Sequence, residues 1–209
     1  MSYRAILFDV GGALDLEFAW ESAVDGAIAA ACGLEGIRVD QTMVEEASDA
    51  AVAAFAPDAY AHMIETLCGG DPLSIARVRG RMRAMVGNLD VFQLRPGIDG
   101  LLQRWRARGL VLGVVDPAHH GPRLERAGIA ALFTREVDGL PASACLFVGD
   151  RLDADIAPAR AKGMTTIQFR SGRWRRQRPR NAAETPDAVV TDVPELEAAI
   201  EALIANTSS

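Results

Sequence analysis

Two short stretches of the chain carry aspartates in a setting where they could do chemistry. Phe8-Asp9-Val10-Gly11-Gly12-Ala13-Leu14 follows the apolar run Ala5-Ile6-Leu7, and Val148-Gly149-Asp150-Arg151-Leu152-Asp153-Ala154-Asp155 follows Leu146-Phe147. In each case an apolar run of strand length meets an acid at its end. Ligands of open α/β sheets bind at the carboxyl ends of the strands. Carboxylates on two such ends can share a hard cation, and Mg²⁺ suits one or two carboxylates together with waters and phosphate oxygens. One aspartate at a strand end would ordinarily be read as a helix cap. Two such loops in one chain favour the shared cation.

Those acids need a scaffold, and the rest of the chain supplies it. Leu110–Val115, Leu146–Gly149, Thr165–Phe169 and Ala188–Thr191 read as further strands. They alternate with helical stretches at Ile98–Arg108, Ala154–Ala161 and Pro194–Ala205, which predicts a parallel α/β sheet. Between the first strand and Leu94-Arg95-Pro96-Gly97 the pattern changes to alanine-rich helical spacing, over Glu17–Ala31, Thr42–Ala56, Asp58–Leu67 and Leu73–Val86. Gly, Pro and Asp punctuate these four helices. Residues 1–15 and 91–209 are therefore expected to form the sheet domain, and residues 16–90 an inserted all-helical subdomain. Leu132–Val137 resists the scheme. Only Asp138–Ser143 separates it from the strand at Leu146, too little for the crossover of about a dozen residues that parallel neighbours require. It is a loop, an antiparallel edge or the remnant of a lost βα unit.

Composition narrows the function classes. Hydrophobic residues make up 49% and charged residues 24%, a globular balance that leaves no case for disorder. A net charge of -6 excludes a general affinity for nucleic acid or anionic membrane. No apolar run approaches the roughly 20 residues of a membrane span, and Met1–Asp9 is too short and too soon acidic for a signal peptide. Cys32, Cys68 and Cys145 are odd in number and far apart, which fits a reducing cytoplasm and neither a disulfide framework nor a zinc site. The 22 basic residues comprise 21 arginines and the single Lys162.

The two acidic loops resemble motifs of the haloacid dehalogenase (HAD) superfamily. Asp9–Leu14 is similar to its Asp-x-Asp-Gly-Thr-Leu signature. Val148–Met164, with Gly149-Asp150, Asp155 and Ala161-Lys162-Gly163, is similar to its final acidic motif, and Leu94–Gly97 matches the re-entry from a helical cap. The resemblance implies a Rossmann-like core with a helical cap over the site, and Mg²⁺-dependent hydrolysis of a small phosphorylated molecule through an aspartyl intermediate. It implies Asp9 as nucleophile, with Asp9, Asp150 and the carbonyl of Gly11 on the metal and Asp155 in the acidic shell. Asp153 is left between that shell and a solvated role.

The chain departs from the family pattern in three places. The second acid of the signature is Gly11, which cannot donate a proton to a leaving alkoxide, and general acid–base help is worth about 10²–10⁴-fold. The Ser or Thr at the end of the second strand is replaced by Asp116, which either adds a charge to the site or caps the next helix beside Pro117. The family lysine has no counterpart, since Lys162 falls late on the helix after Asp155; Arg135 is the nearest substitute. His119, with His120, follows Asp116 and offers either a replacement proton donor or an exposed pair. These losses keep open an alternative, a catalytically impaired relative that binds a metal or ligand and regulates. Carbon–halogen hydrolysis tolerates Gly11 but resembles enzymes that use the absent hydroxyl and lysine.

Other features read as packing or surface. Phe18 and Trp20 are assigned to ordinary packing rather than a cleft lining, and Arg77, Arg79, Arg81 and Arg83 to a water-facing helix side. The run Arg170, Arg173, Arg175, Arg176, Arg178 and Arg180 around Trp174 reads as a solvated loop in preference to an anion-binding one. Monomer and homodimer are both compatible with the sequence.

Overall fold

The computed structural model describes residues 3–89, 91–115, 121–134 and 139–206. The chain divides into two compact units, one of Met1–Leu16 with Phe92–Ser209 and one of Glu17–Val91.

The first unit is a five-stranded sheet in the order β2-β1-β3-β4-β5, every pair parallel. Its strands are β1 Ala5–Asp9, β2 Val111–Val115, β3 Cys145–Gly149, β4 Thr165–Phe169 and β5 Ala188–Val190. The central strands are apolar at successive positions because both sheet faces are covered. Ile6, Phe8, Leu146, Val148, Ile167 and Phe169 join the main core, while Leu7 and Phe147 turn to the opposite face with Ala159 and Met164. Trp105, on the helix Ile98–Ala107, is wholly buried and stacks on Phe8 with centroids 6.3 Å apart. The register sets Phe8 opposite Val148 and Asp9 opposite Val115, so Asp9 and Asp150 emerge at the same edge of the sheet.

The ends of the insertion are tied together where they leave and rejoin this unit. Asp15 and Leu94 form an antiparallel bridge, the Asp15 carboxylate accepts the Gln93 N–H at 2.9 Å, and Leu16 N donates to Gln93 O at 2.9 Å. An insert closed at its base in this way adds residues without spreading the sheet.

The second unit contains four helices, α1 Phe18–Leu34, α2 Gln41–Ala53, α3 Ala59–Leu67 and α4 Pro72–Val86. Asp40, Asp58 and Asp71 cap the last three, accepting N–H groups at 2.9, 3.0 and 2.8 Å and satisfying donors the first turn leaves unpaired. α1 packs on α4 and α2 on α3, with Ile28, Ala31, Val44, Ala51, Met63 and Val78 turned inward. Arg77 and Arg81 are exposed, as their helix side predicts, yet both engage Glu35 at the end of α1.

Leu132–Val137 resolves in part. Thr134 makes a single parallel bridge to Gly113 on the outer edge of β2, its N–H donating to Leu112 O at 2.8 Å. An antiparallel edge is thus ruled out at Thr134. The bridge lies on the far side of β2 from β1 and β3, so no short crossover between neighbouring strands arises.

Asp187 ties β5 to β4. Its carboxylate accepts the Thr166 N–H at 2.8 Å and hydroxyl at 3.1 Å, and the Arg160 guanidinium at 2.8 Å. Burial pushes this carboxyl up, but the bonds from Thr166 and Arg160 outweigh it and hold its pKa below the usual range. A carboxyl depressed on folding adds stability above its unfolded pKa, near 3.9, and loses it as pH falls through the folded value. Asp187→Asn is expected to cost about 1 kcal/mol at pH 7 by urea unfolding. The gap between variant and wild type should narrow as pH falls below about 4.

Candidate metal centre

Asp9, Asp150 and Asp155 come together at the carboxyl edge of the sheet, each offering an oxygen within 4.8 Å of the others'. Asp9 ends β1, and Asp150 follows β3 and is 3% exposed. Asp155 reaches the cluster through an irregular turn. The sequence pattern predicts an α-helix from Ala154, but Leu152–Ile156 winds as a wide turn before the helix Ala157–Ala161, with both Asp155 N and Ile156 N donating to Arg151 O at 3.1 Å. Wide turns of this kind recur at functional sites. Here it folds the Asp155 carboxylate back onto the strand end, where Oδ2 accepts the N–H groups of Asp150 at 3.1 Å and Arg151 at 2.8 Å. Burial pushes the Asp155 carboxyl up, against these hydrogen bonds and the Arg151 charge, and burial wins. An ionised Asp155 is costly unless a cation offsets it.

Two glycines make the cluster possible. A Cβ at Gly12 would fall 2.4 Å from Asp150 Oδ2, and one at Gly149 would fall 2.6 Å from the Asp155 Cβ. Gly12 also adopts φ +65, a conformation open chiefly to glycine. The backbones of two loops must approach this closely for their carboxylates to converge. The Gly11 carbonyl, on the same loop, accepts the Ala13 N–H at 2.6 Å and retains a second lone pair.

The β1 loop is held from behind by Arg95, which is 6% exposed. Its guanidinium donates Nε to Gly12 O at 3.0 Å and Ala13 O at 3.1 Å, sends Nη2 to Gly12 O and to Ser171 Oγ, and lies 4.1 Å from the centre of the Phe169 ring. A planar fork can serve several carbonyls and an aromatic face at once. Sequence reasoning placed Arg95 only in a turn; nothing local to Leu94–Gly97 signals that its side chain turns back to the loop eighty residues earlier.

Asp153 belongs to a different set. Arg151 Nη2 pairs with it at 2.7 Å and Gln177 Nε2 donates to it at 3.1 Å, so that it is a half-buried, paired carboxylate outside the cluster. Burial raises its pKa, but Arg151 and Gln177 outweigh that and leave it depressed. Arg151 in turn lies 3.9 Å over the Trp174 ring, and Gln177 Oε1 accepts the Leu152 N–H at 2.8 Å. Arg173, Trp174 and Gln177 are buried. Arg175, Arg176, Arg178 and Arg180 are exposed, as the composition of the segment predicts, but its other face, with Arg173, Trp174 and Gln177, is packed onto the strand-end loop of Asp150. Lys162 ends the helix Ala157–Ala161 and is exposed. Asp116, His119, His120 and Arg135 lie outside the described residues.

Comparison with known proteins agrees with this architecture. Residues 122–196 match a family model described as HAD-hydrolase-like. A glyceraldehyde 3-phosphate phosphatase of Methanopyrus kandleri is 41% identical over 49 residues, which span 23% of this chain and 21% of that protein. The structure of a predicted phosphoglycolate phosphatase from Haemophilus somnus superposes with a TM-score of 0.68 at 19% identity, covering 97% of this chain and 98% of that one. The candidate HAD-hydrolase YfnB of Bacillus subtilis, bound to magnesium, superposes at 0.64 and 17% identity, covering 96% and 100%. The fold is the one these structures share, a Rossmann-like parallel sheet with an all-helical insertion, and the stretch 122–196 is similar to part of the haloacid dehalogenase-like hydrolases. Among the described residues no helix is long and apolar enough to cross a membrane.

Proposed function

We propose that the chain is a Mg²⁺-dependent phosphomonoester hydrolase of small metabolites, working through an aspartyl intermediate on Asp9. The convergence of Asp9, Asp150 and Asp155 carries this reading. An octahedral ion with ligands at about 2.1 Å sets neighbouring ligand oxygens about 3 Å apart and opposite ones about 4 Å apart, so carboxylate oxygens within 4.8 Å of one another would close slightly around Mg²⁺. Asp9, Asp150 and the Gly11 carbonyl would hold the ion, with Asp155 beside them. When bound, the ion would neutralise charge on the transferring phosphoryl group.

The chain's own residues do the rest. The Asp9 carboxylate attacks phosphorus, the ester oxygen departs, and water later cleaves the acyl phosphate, returning Asp9 and inorganic phosphate. Gly11 cannot protonate the leaving oxygen, so esters of acidic alcohols should turn over faster than those of simple alkanols. The helical unit Glu17–Val91 would serve as the cap.

The test is single-turnover phosphate release from a panel of phosphomonoesters with Mg²⁺, wild type against Asp9→Asn. Release that depends on Asp9 and Mg²⁺, with bound phosphate acid-stable on the wild-type protein, is the expected result. A panel without release above the Asp9→Asn background would sink the proposal and leave a non-catalytic binder as the reading.

A further inference from the structure

Several arginines of this chain meet carboxylates, as Arg104 meets Glu197, Arg160 meets Asp187 and Arg180 meets Glu184. Arg170 and Arg178 do not. Among the described residues neither pairs with an acid. Arg170 is half-buried, its Nε is shielded from solvent without a hydrogen-bond partner, and its Nη2 reaches only Gln168 Oε1 at 3.4 Å. Arg178 donates one Nη1 bond to the Gln177 carbonyl at 3.1 Å. Loss of hydration, and then the charge of Arg178, both act against the charge on Arg170. A half-buried guanidinium with a shielded, unpartnered Nε is an arrangement that folding alone does not favour.

Their place in the fold gives the pair a purpose. Arg170 follows β4, and the side chain beneath it, the wholly buried Gln168, donates Nε2 to Asp150 O at 3.2 Å. Arg178 follows Gln177, which is 1% exposed and fixed to Leu152 and Asp153. Each arginine is thus one glutamine away from the loop that carries Asp150 and Asp155. Both amides are buried and bonded at their two ends, so the arginines sit on a rigid mount.

We propose that Arg170 and Arg178 bind an oxyanion, a carboxylate or second phosphate, at the far end of a substrate whose ester phosphate lies at the Asp9–Asp150–Asp155 cluster. Guanidinium groups bind such anions through paired N–H donors. A bound oxyanion offsets the repulsion between the two cations and the lost hydration of Arg170. This deepens the hydrolase proposal and, for its kinetic part, rests on it.

The kinetic experiment compares 3-phosphoglycerate with glycerol 1-phosphate, which differ by a carboxylate in place of a hydroxymethyl group. Arg170→Gln and Arg178→Gln should each raise KM for the former at least tenfold and leave KM for the latter within twofold. Arg175→Gln removes the same charge from an exposed position on the same segment and should change neither. Equal losses on both substrates, an equal effect of Arg175→Gln, or no effect of either variant overturns the proposal. A second arm needs no turnover: titration calorimetry with inorganic phosphate in EDTA, on Asp9→Asn protein. Saturable binding weakened at least tenfold by Arg178→Gln is expected, and its absence overturns the site. If that arm succeeds while no ester is hydrolysed, the oxyanion site stands and the hydrolase reading falls.

Discussion

Gly12→Ala is expected to weaken Mg²⁺ binding by 10–100-fold while leaving the protein folded. The added Cβ would sit 2.4 Å from Asp150 Oδ2, 2.5 Å from its Cγ and 2.7 Å from its Cβ, so no small rotation of the carboxylate relieves all three contacts. Asp150 is buried and cannot swing into solvent. Either the β1 loop or Asp150 must move, and both carry proposed ligands. Displacing groups that orient metal ligands commonly costs 10–100-fold in affinity. The positive φ adds a penalty of about 1–2 kcal/mol for a residue with a Cβ. Gly149→Ala makes the matching test at Asp155, whose Cβ and carboxylate would lie 2.6–2.8 Å from the new methyl group. Gly100, on an open helix face with only an arginine terminus 3.5 Å away, is the control, and alanine there should be neutral or mildly stabilising. The measurement is the Mg²⁺-dependent rise in Tm, which follows the ratio of free ion to Kd. Wild-type Tm should climb with Mg²⁺; Gly12→Ala and Gly149→Ala should respond only at much higher concentration. A Gly12→Ala protein that responds like wild type would mean that the three carboxylates do not hold the ion.

The difference between what these residues announce and what they conceal is physical. Strands buried on both faces must be apolar at successive positions, so β1, β3 and β4 stand out as runs, and an acid at the end of such a run is visible at once. Asp9 and Asp150 were legible for that reason, as was the change to helical spacing after Leu16, whereas Asp155 was assigned through the family resemblance. The wide turn at Leu152–Ile156 was not, because it accompanies hydrogen bonds from the Asp150 and Arg151 N–H groups to the Asp155 carboxylate that the residue pattern does not announce. Nor did composition reveal the arginine segment's packing. Six arginines in eleven residues suggest solvation, yet Trp174 and Gln177 anchor the segment through Arg151, Leu152 and Asp153, all distant in sequence. Gly12 and Gly149 were visible as loop residues, but their necessity lies in a carboxylate from elsewhere occupying the space a side chain would need.

Arg95→Ala is expected to cost about 3–5 kcal/mol of stability, the largest loss among the substitutions considered. The side chain supplies N–H donors to Gly12 O, Ala13 O and Ser171 Oγ from a buried position. Removing it strands acceptors that water reaches poorly, each worth about 1–3 kcal/mol. It also removes the cation over Phe169 and leaves a cavity in its place. Arg95→Lys keeps the charge but offers a point donor in place of a fork, and it should recover at most half of the loss. Urea unfolding at pH 7 reads both costs. Because Arg95 grips the carbonyls of the loop that holds Asp9 and Gly12, the damage should extend to function in whatever fraction remains folded. Arg95→Lys should weaken the Mg²⁺ response of Tm without lowering the protein's basal Tm as far as Arg95→Ala does. An Arg95→Ala protein of wild-type stability would show that the carbonyls of Gly12 and Ala13 find water or other donors, and that the β1 loop holds its shape by its own backbone.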